Sequence, residues 1–171
     1  FRLRQGFRIE LAAAEPQVVD PVSMAFDATG RLFVVEMIGY SEHRADKLGR
    51  VRLLEDTNGD GRFDKATVYA KGLAWPTAVL CHDGGVFVIV TPDLLYFRDT
   101  DGDGVADEIL VAADQLWFPN SIQFFAGYLY VADMHQVVRL RDSAGDGRYE
   151  EREIVVPDLP VGHHRTRTIE F

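Results

Sequence analysis

The stretch Asp99-Thr100-Asp101-Gly102-Asp103-Gly104 decides how this chain is read. The same phrase stands 43 residues earlier as Asp56-Thr57-Asn58-Gly59-Asp60-Gly61 and 43 residues later as Asp142-Ser143-Ala144-Gly145-Asp146-Gly147. Each copy lies between two short runs of β-branched and aromatic residues. The runs are Val51–Leu54 and Ala66–Tyr69, then Leu94–Phe97 and Glu108–Val111, then Val137–Leu140 and Glu153–Val156. Runs of this kind around an Asp/Gly turn predict a β-hairpin. A second hairpin precedes each one: Val22–Phe26 with Leu32–Glu36, Thr77–His82 with Val86–Val90, and Ser121–Phe125 with Tyr128–Ala132. The unit is therefore four antiparallel strands in about 43 residues.

That period belongs to the blades of a β-propeller. The chain is expected to be all-β, with no sustained 3.6-residue apolar period. We expect three complete four-stranded blades, at about 19–73, 74–116 and 117–159, with a fourth beginning at 160–171. A β-solenoid or a sandwich of hairpins is the competing architecture, but four strands per unit is long for a solenoid coil. A proline leads into each first strand, at Pro21, Pro76 and Pro119, spaced 55 and then 43 residues. The first unit thus carries about 12 extra residues, placed in the polar stretch Met37–Gly49 and read as an exposed loop. Phe7–Ala13 reads as a further strand, of the kind that completes a propeller's last blade. The chain opens at Phe1 and closes at Phe171 just after a strand begins, so a piece of a longer, six-bladed propeller is expected.

The composition excludes several classes. The net charge of −9 argues against nucleic acid, whose phosphates need a basic face. No run of 18 apolar residues is present, so no membrane-spanning helix is expected. The one cysteine, Cys81, lies in the apolar run Ala78-Val79-Leu80-Cys81 and reads as a buried core residue. Alone it builds neither a disulfide framework nor a zinc site.

Four strands labelled A to D from the axis outward put the A–B and C–D turns on one face. The B–C turns and D–A connections lie on the other. The acidic loops are all C–D turns. The opposite face receives Trp75, Trp117, Asn120, His135 and the run Gly162-His163-His164-Arg165-Thr166-Arg167, so a ligand site is expected there.

The D-x-[DN]-x-[DN]-G phrase is the front half of a calcium loop, because alternate side chains on a glycine-hinged turn supply the oxygens calcium needs. Asp56, Asn58, Asp60 and Asp64 fit in the first loop, and Asp99, Asp101, Asp103 and Asp107 in the second. The third has Ala144 at one ligand position, leaving Asp142, Asp146 and Glu150. The flanks are strands and no Glu stands at the twelfth position, so these are not EF-hands. A plain Asp/Gly hairpin turn without an ion is the other reading.

Two stretches resemble known families. Phe7–Phe97, with DPVSMAFDATGRLFVVEM and PDLLYFRDTDGDGVAD, is similar to the N-terminal propeller of bacterial membrane-bound dehydrogenase domain proteins abundant in planctomycetes. Phe118–Phe171, with FPNSIQFFAGYLYVAD and GHHRTRTIEF, resembles glucose/sorbosone dehydrogenase propellers that use pyrroloquinoline quinone (PQQ). The resemblance implies a quinone on the axis and a histidine base that takes the sugar hydroxyl proton. It matches His164 to that base. It makes His163, Arg165, Arg167 and Asn120 candidates for holding the cofactor. It also implies export to the periplasm or cell surface, a small sugar or aldose substrate, and a c-type haem domain as electron acceptor, although no C-x-x-C-H is present. Two other functions stay open: a non-catalytic, calcium-stabilised propeller that binds carbohydrate or protein, and a lactonase or lyase whose axial metal is held by Glu36, Asn120 and Asp133.

Overall fold

The computed structural model describes residues 2–161 and 168–171. Its twelve strands run in chain order. The first four are β1 (Pro21–Phe26), β2 (Leu32–Glu36), β3 (Gly49–Glu55) and β4 (Lys65–Leu73). Next come β5 (Ala78–His82), β6 (Gly85–Val90), β7 (Asp93–Arg98) and β8 (Glu108–Ala113). The last are β9 (Ser121–Phe125), β10 (Tyr128–Asp133), β11 (Gln136–Arg141) and β12 (Glu151–Val156). Each set of four forms its own antiparallel sheet, with neighbours in sequence paired in space. These are the three expected blades of a β-propeller. The inner strands adjoin, since β5 packs against β1 on one side and β9 on the other.

Alternation explains why the sheets stack. Successive strand residues point to opposite faces. Both faces of the middle blade are apolar, so it is covered twice. Phe33, Val35, Val51, Leu53 and Tyr69 of the first blade pack on Val79, Val86, Val88 and Phe97 of the second. Phe87, Ile89, Leu94 and Ala112 of the second pack on Ile122, Leu129, Val131 and Leu140 of the third. Fully burying side chains of this size contributes roughly 1.5–3 kcal/mol each, so these two joints dominate the stability.

A β-bulge recurs in every outer strand. Val51 pairs with Ala70 and Arg52 with Val68, leaving Tyr69 out of the ladder. Ala112 is skipped in the same way in the second blade, and Val155 in the third. A bulge frees main-chain groups from the ladder. The freed carbonyls of Tyr69 and Ala112 accept from the amides of Ala106 and Tyr149, at 2.8 and 2.7 Å. Each donor lies two residues beyond the last glycine of the next blade's acidic loop.

Two expectations change. Phe7–Ala13 forms no strand; among the described residues none precedes Pro21. A strand exists only with a partner, and among the described residues these pair with none. Instead the following residues cap the outward face of the first blade: Ala13 and Val18 pack on Leu32, Val34 and Leu54, and the Gln17 side-chain amide donates to the Phe63 carbonyl at 2.9 Å. The insertion at Met37–Gly49 holds a short 3-10 turn, Arg44–Asp46, and its last residue opens β3. Among the described residues no helix is long and apolar enough to cross a membrane.

Candidate functional site

The two faces sort as the strand order requires. On the turn face, Asp27, Thr29, Asp83 and Gly84 from two A–B turns meet Asp99 and Gly102 of an acidic loop around a cleft of about 520 Å³. On the connection face, the Arg44 guanidinium donates to the Thr91 carbonyl at 2.8 Å, and the Leu116 amide to the Pro92 carbonyl at 2.9 Å.

The connection face carries the aromatic groups. Trp117 is 62% exposed and meets the His135 ring edge-on, 5.9 Å between centroids. Asn120 directly precedes β9: its amide donates to the Ala132 carbonyl at 3.0 Å and its side chain to the Phe118 carbonyl at 2.7 Å. Trp75 has a left-handed backbone, φ 54°. The insertion folds back over it, with the Tyr40 ring at 5.1 Å and the Arg44 guanidinium 5.8 Å from the indole. His163, His164, Arg165 and Arg167 lie outside the described residues. Their flanks are placed: the Leu159 amide donates to the His135 carbonyl at 2.6 Å, and the Ile169 amide to the Ser121 hydroxyl at 3.2 Å.

Glu36 and Asp133 are the buried charged side chains among the described residues. They end the second strands of the first and third blades, where the second blade has Val90. Both tie a lead-in loop to its blade. Glu36 accepts from the Val19 amide at 2.7 Å and pairs with Arg50, while Arg52 lies 3.6 Å away. Asp133 accepts from the amides of Trp117, Phe118 and Met134 at 3.1, 2.7 and 2.9 Å. Their oxygens are thus committed to main-chain amides and arginines. Sequence reasoning had offered them only as axial metal ligands, since a carboxylate at a strand end looks the same in either role.

The acidic loops are organised by their first aspartate. Asp99 accepts from the Gly102 and Gly104 amides at 2.7 and 2.9 Å, and Asp56 and Asp142 repeat the pattern. Asp99, Asp101 and Asp103 bring carboxylate oxygens within 4.8 Å of one another, as do Asp142, Asp146 and Glu150. Such donor sets suit a hard cation. The first loop places Asn58 and Asp60 in the same backbone frame, each accepting the amide two residues on. Asp64 and Asp107 do something else: each binds the amide and hydroxyl of the threonine seven residues before it, Thr57 and Thr100. Those bonds hold both carboxyls below the usual aspartate range.

The turn-face cleft has its own electrostatics. Partial burial pulls the Asp27 carboxyl up, but hydrogen bonds from Arg31 and Thr29 outweigh it, and the net shift is downward. At the cleft wall, burial pushes the Cys81 thiol up to about 12, so it is an inert packing group.

Successive four-stranded antiparallel blades packed side by side define a β-propeller fold. The profile of the family described as Domain of unknown function (DUF7133) matches residues 1–112 and 99–168, and the chain belongs to that family. No curated protein matches it significantly. Among solved structures it is similar to a chain of a nidogen/laminin complex, with TM-score 0.59 and 11% identity over 81% of this chain and 49% of that one. It is also similar to a catalytically inactive virginiamycin B lyase from Staphylococcus aureus with quinupristin. There the TM-score is 0.52 with 12% identity, over 91% of this chain and 46% of that one. The chain spans about half the length of each, and at these identities the likeness concerns the fold.

Proposed function

We propose that this chain is part of a quinone-dependent sugar or aldose dehydrogenase propeller, exported to the periplasm or cell surface, with its site on the connection face. The observation that carries the reading is the pair of anchors that bracket residues 162–167. Leu159 is held at His135, whose ring meets Trp117, and Ile169 at Ser121, which follows Asn120. The described residues offer an indole, an imidazole, a carboxamide and the Arg44 guanidinium. A quinone bearing carboxylates needs more cations, and Arg165 and Arg167 would supply them through bidentate contacts. Bound PQQ would accept two electrons. His164 would take the proton of the sugar hydroxyl, the role an imidazole base commonly fills, and His163 precedes it in sequence. A c-type haem domain is the electron acceptor this reading calls for.

The test uses the full-length protein with PQQ and calcium, dye reduction as readout, and a panel of aldoses. Turnover that His164→Ala abolishes supports the proposal. Absence of turnover with every aldose, in protein that binds PQQ, overturns it.

A second reading is a non-catalytic, calcium-stabilised propeller that binds carbohydrate or protein. The convergent oxygens of Asp99, Asp101 and Asp103 favour the calcium part of it. Calorimetric sugar binding without turnover would select this reading. The lactonase or lyase reading loses support, because Glu36 and Asp133 are engaged elsewhere.

A further inference from the structure

The insertion in the first blade does more than lengthen a loop. It carries Tyr40, 68% exposed and edge-on to Trp75 at 5.1 Å, and Arg44, which donates to the Thr91 carbonyl of the second blade at 2.8 Å. Pro92, next in that turn, accepts the Leu116 amide at 2.9 Å, and Trp117 follows Leu116 directly. Two aromatic groups therefore flank one turn: Tyr40 with Trp75 on one side, Trp117 with His135 on the other. Trp75 links β4 to β5 and Trp117 links β8 to β9, so both groups stand at joints between complete blades.

Holding rings of this size in water forgoes the free energy of burying them. Here the backbone holds them. Asp133 fixes the amides of Trp117 and both flanking elements, Phe118 and Met134. Trp75 occupies the left-handed region, φ 54°, a costly place for a bulky residue, and the insertion folds over it. Backbone strain of this kind clusters at ligand sites.

We propose that the connection face binds an oligosaccharide, with one subsite at Tyr40 and another at Trp117, and that the insertion sets this preference over single aldoses. The proposal rests on reading this face as a sugar site, but not on quinone chemistry. A pyranose offers a C–H face to an aromatic ring and hydroxyls at its rim to polar groups. The Arg44 guanidinium stands at the first platform and the His135 imidazole at the second. Packed sheets lie about 10 Å apart, so platforms one blade apart exceed a single pyranose and suit linked ones. Separate rings with polar neighbours suit a glycan better than a protein, whose interfaces bury a contiguous core.

The test screens the full-length protein on an array of glycans, monomers and oligomers of increasing length, with calorimetry for the affinities. Affinity should rise with length in the parent. Tyr40→Ala and Trp117→Ala should each lower oligomer affinity roughly tenfold and flatten the length dependence, with little change in Tm. Trp117→Phe should keep most of the affinity, because a flat ring remains. Binding confined to monomers, oligomer binding that neither alanine variant weakens, or no glycan binding at all would overturn the proposal. Oligomer binding without dye reduction would support it and remove the dehydrogenase chemistry. Dye reduction with monomers and no gain with length would do the reverse.

Discussion

The amide of Ala106 donates to the carbonyl of Tyr69 across 2.8 Å, joining the first two blades through main-chain atoms alone. Tyr69 is free to accept because its own strand skips it, and Ala106 is in place because the acidic loop just before it is tightly wound. The loop therefore does structural work whether or not it holds a cation. Its glycines show how closely it sits on the neighbouring blade.

Gly147 and Gly145 lie in one loop with φ of 85° and 73°. Both resist a side chain on backbone grounds, at a cost of roughly 1–2 kcal/mol. A methyl at Gly145 meets nothing within 4 Å, whereas one at Gly147 meets Leu110 of the preceding blade at 2.6 Å. Gly147→Ala is expected to cost more than Gly145→Ala, by up to about 1 kcal/mol, because the Leu110 methyl must swing aside. Urea denaturation of the two variants measures the difference.

Asp133→Ala leaves three amides without their acceptor in a buried place, and a loss of roughly 2–4 kcal/mol is expected. Asp133→Asn keeps one acceptor oxygen and should lose less. Thermal unfolding gives the ranking. Trp117 fluorescence gives a second readout, since its amide is one of the three. Equal destabilisation by both variants would refute the capping role.

Acid should loosen the acidic loops. The carboxyls of Asp107 and Asp64 are held below their ordinary range by bonds from Thr100 and Thr57, and Glu150 by the Ser143 hydroxyl. Folding thus favours their ionised forms. That contribution is complete above about pH 4–4.5 and fades as the pH falls through the lowered values. Thr100→Val should raise the Asp107 midpoint in a carboxyl NMR titration and leave Asp64 unmoved. An unchanged midpoint would show that the Thr100 hydroxyl does not set it.

Calcium should separate two aspartates of one loop. Asp99 holds the Gly102 and Gly104 amides, while Asp101 accepts a single amide at 3.2 Å. Asp99→Ala is expected to lower Tm even in chelator. Asp101→Ala should be nearly neutral in chelator and should reduce the rise in Tm that millimolar calcium brings. No rise in the parent protein at any calcium level would remove the cation from the loop's role.

The repeat was legible because its chemistry sits in side chains and glycines at fixed spacing. Asp56, Asp99 and Asp142 marked the outer hairpins, and the apolar runs beside them became β3 to β4, β7 to β8 and β11 to β12. The bulges at Tyr69, Ala112 and Val155 were not legible, since a freed carbonyl has no residue signature and three different side chains occupy the position. Phe7–Ala13 has the composition of a strand, but pairing depends on what lies alongside. Asp64 and Asp107 were read as cation ligands by position. The threonines that engage them sit seven residues away, a distance the loop closes only once folded. For the connection face, strand order alone assigns every connection to one side, and the contact between Trp117 and His135 lies there.

The fastening between blades asks nothing of side-chain identity at its acceptor, where tyrosine and alanine serve alike. A tandem duplication of 43 residues would carry both halves of the clasp with it: the skipped residue that accepts and the wound turn that donates. Such a ring can therefore lengthen or diversify its outer surface without redesigning how neighbours grip, leaving the residues at the opposite opening free to change for chemistry.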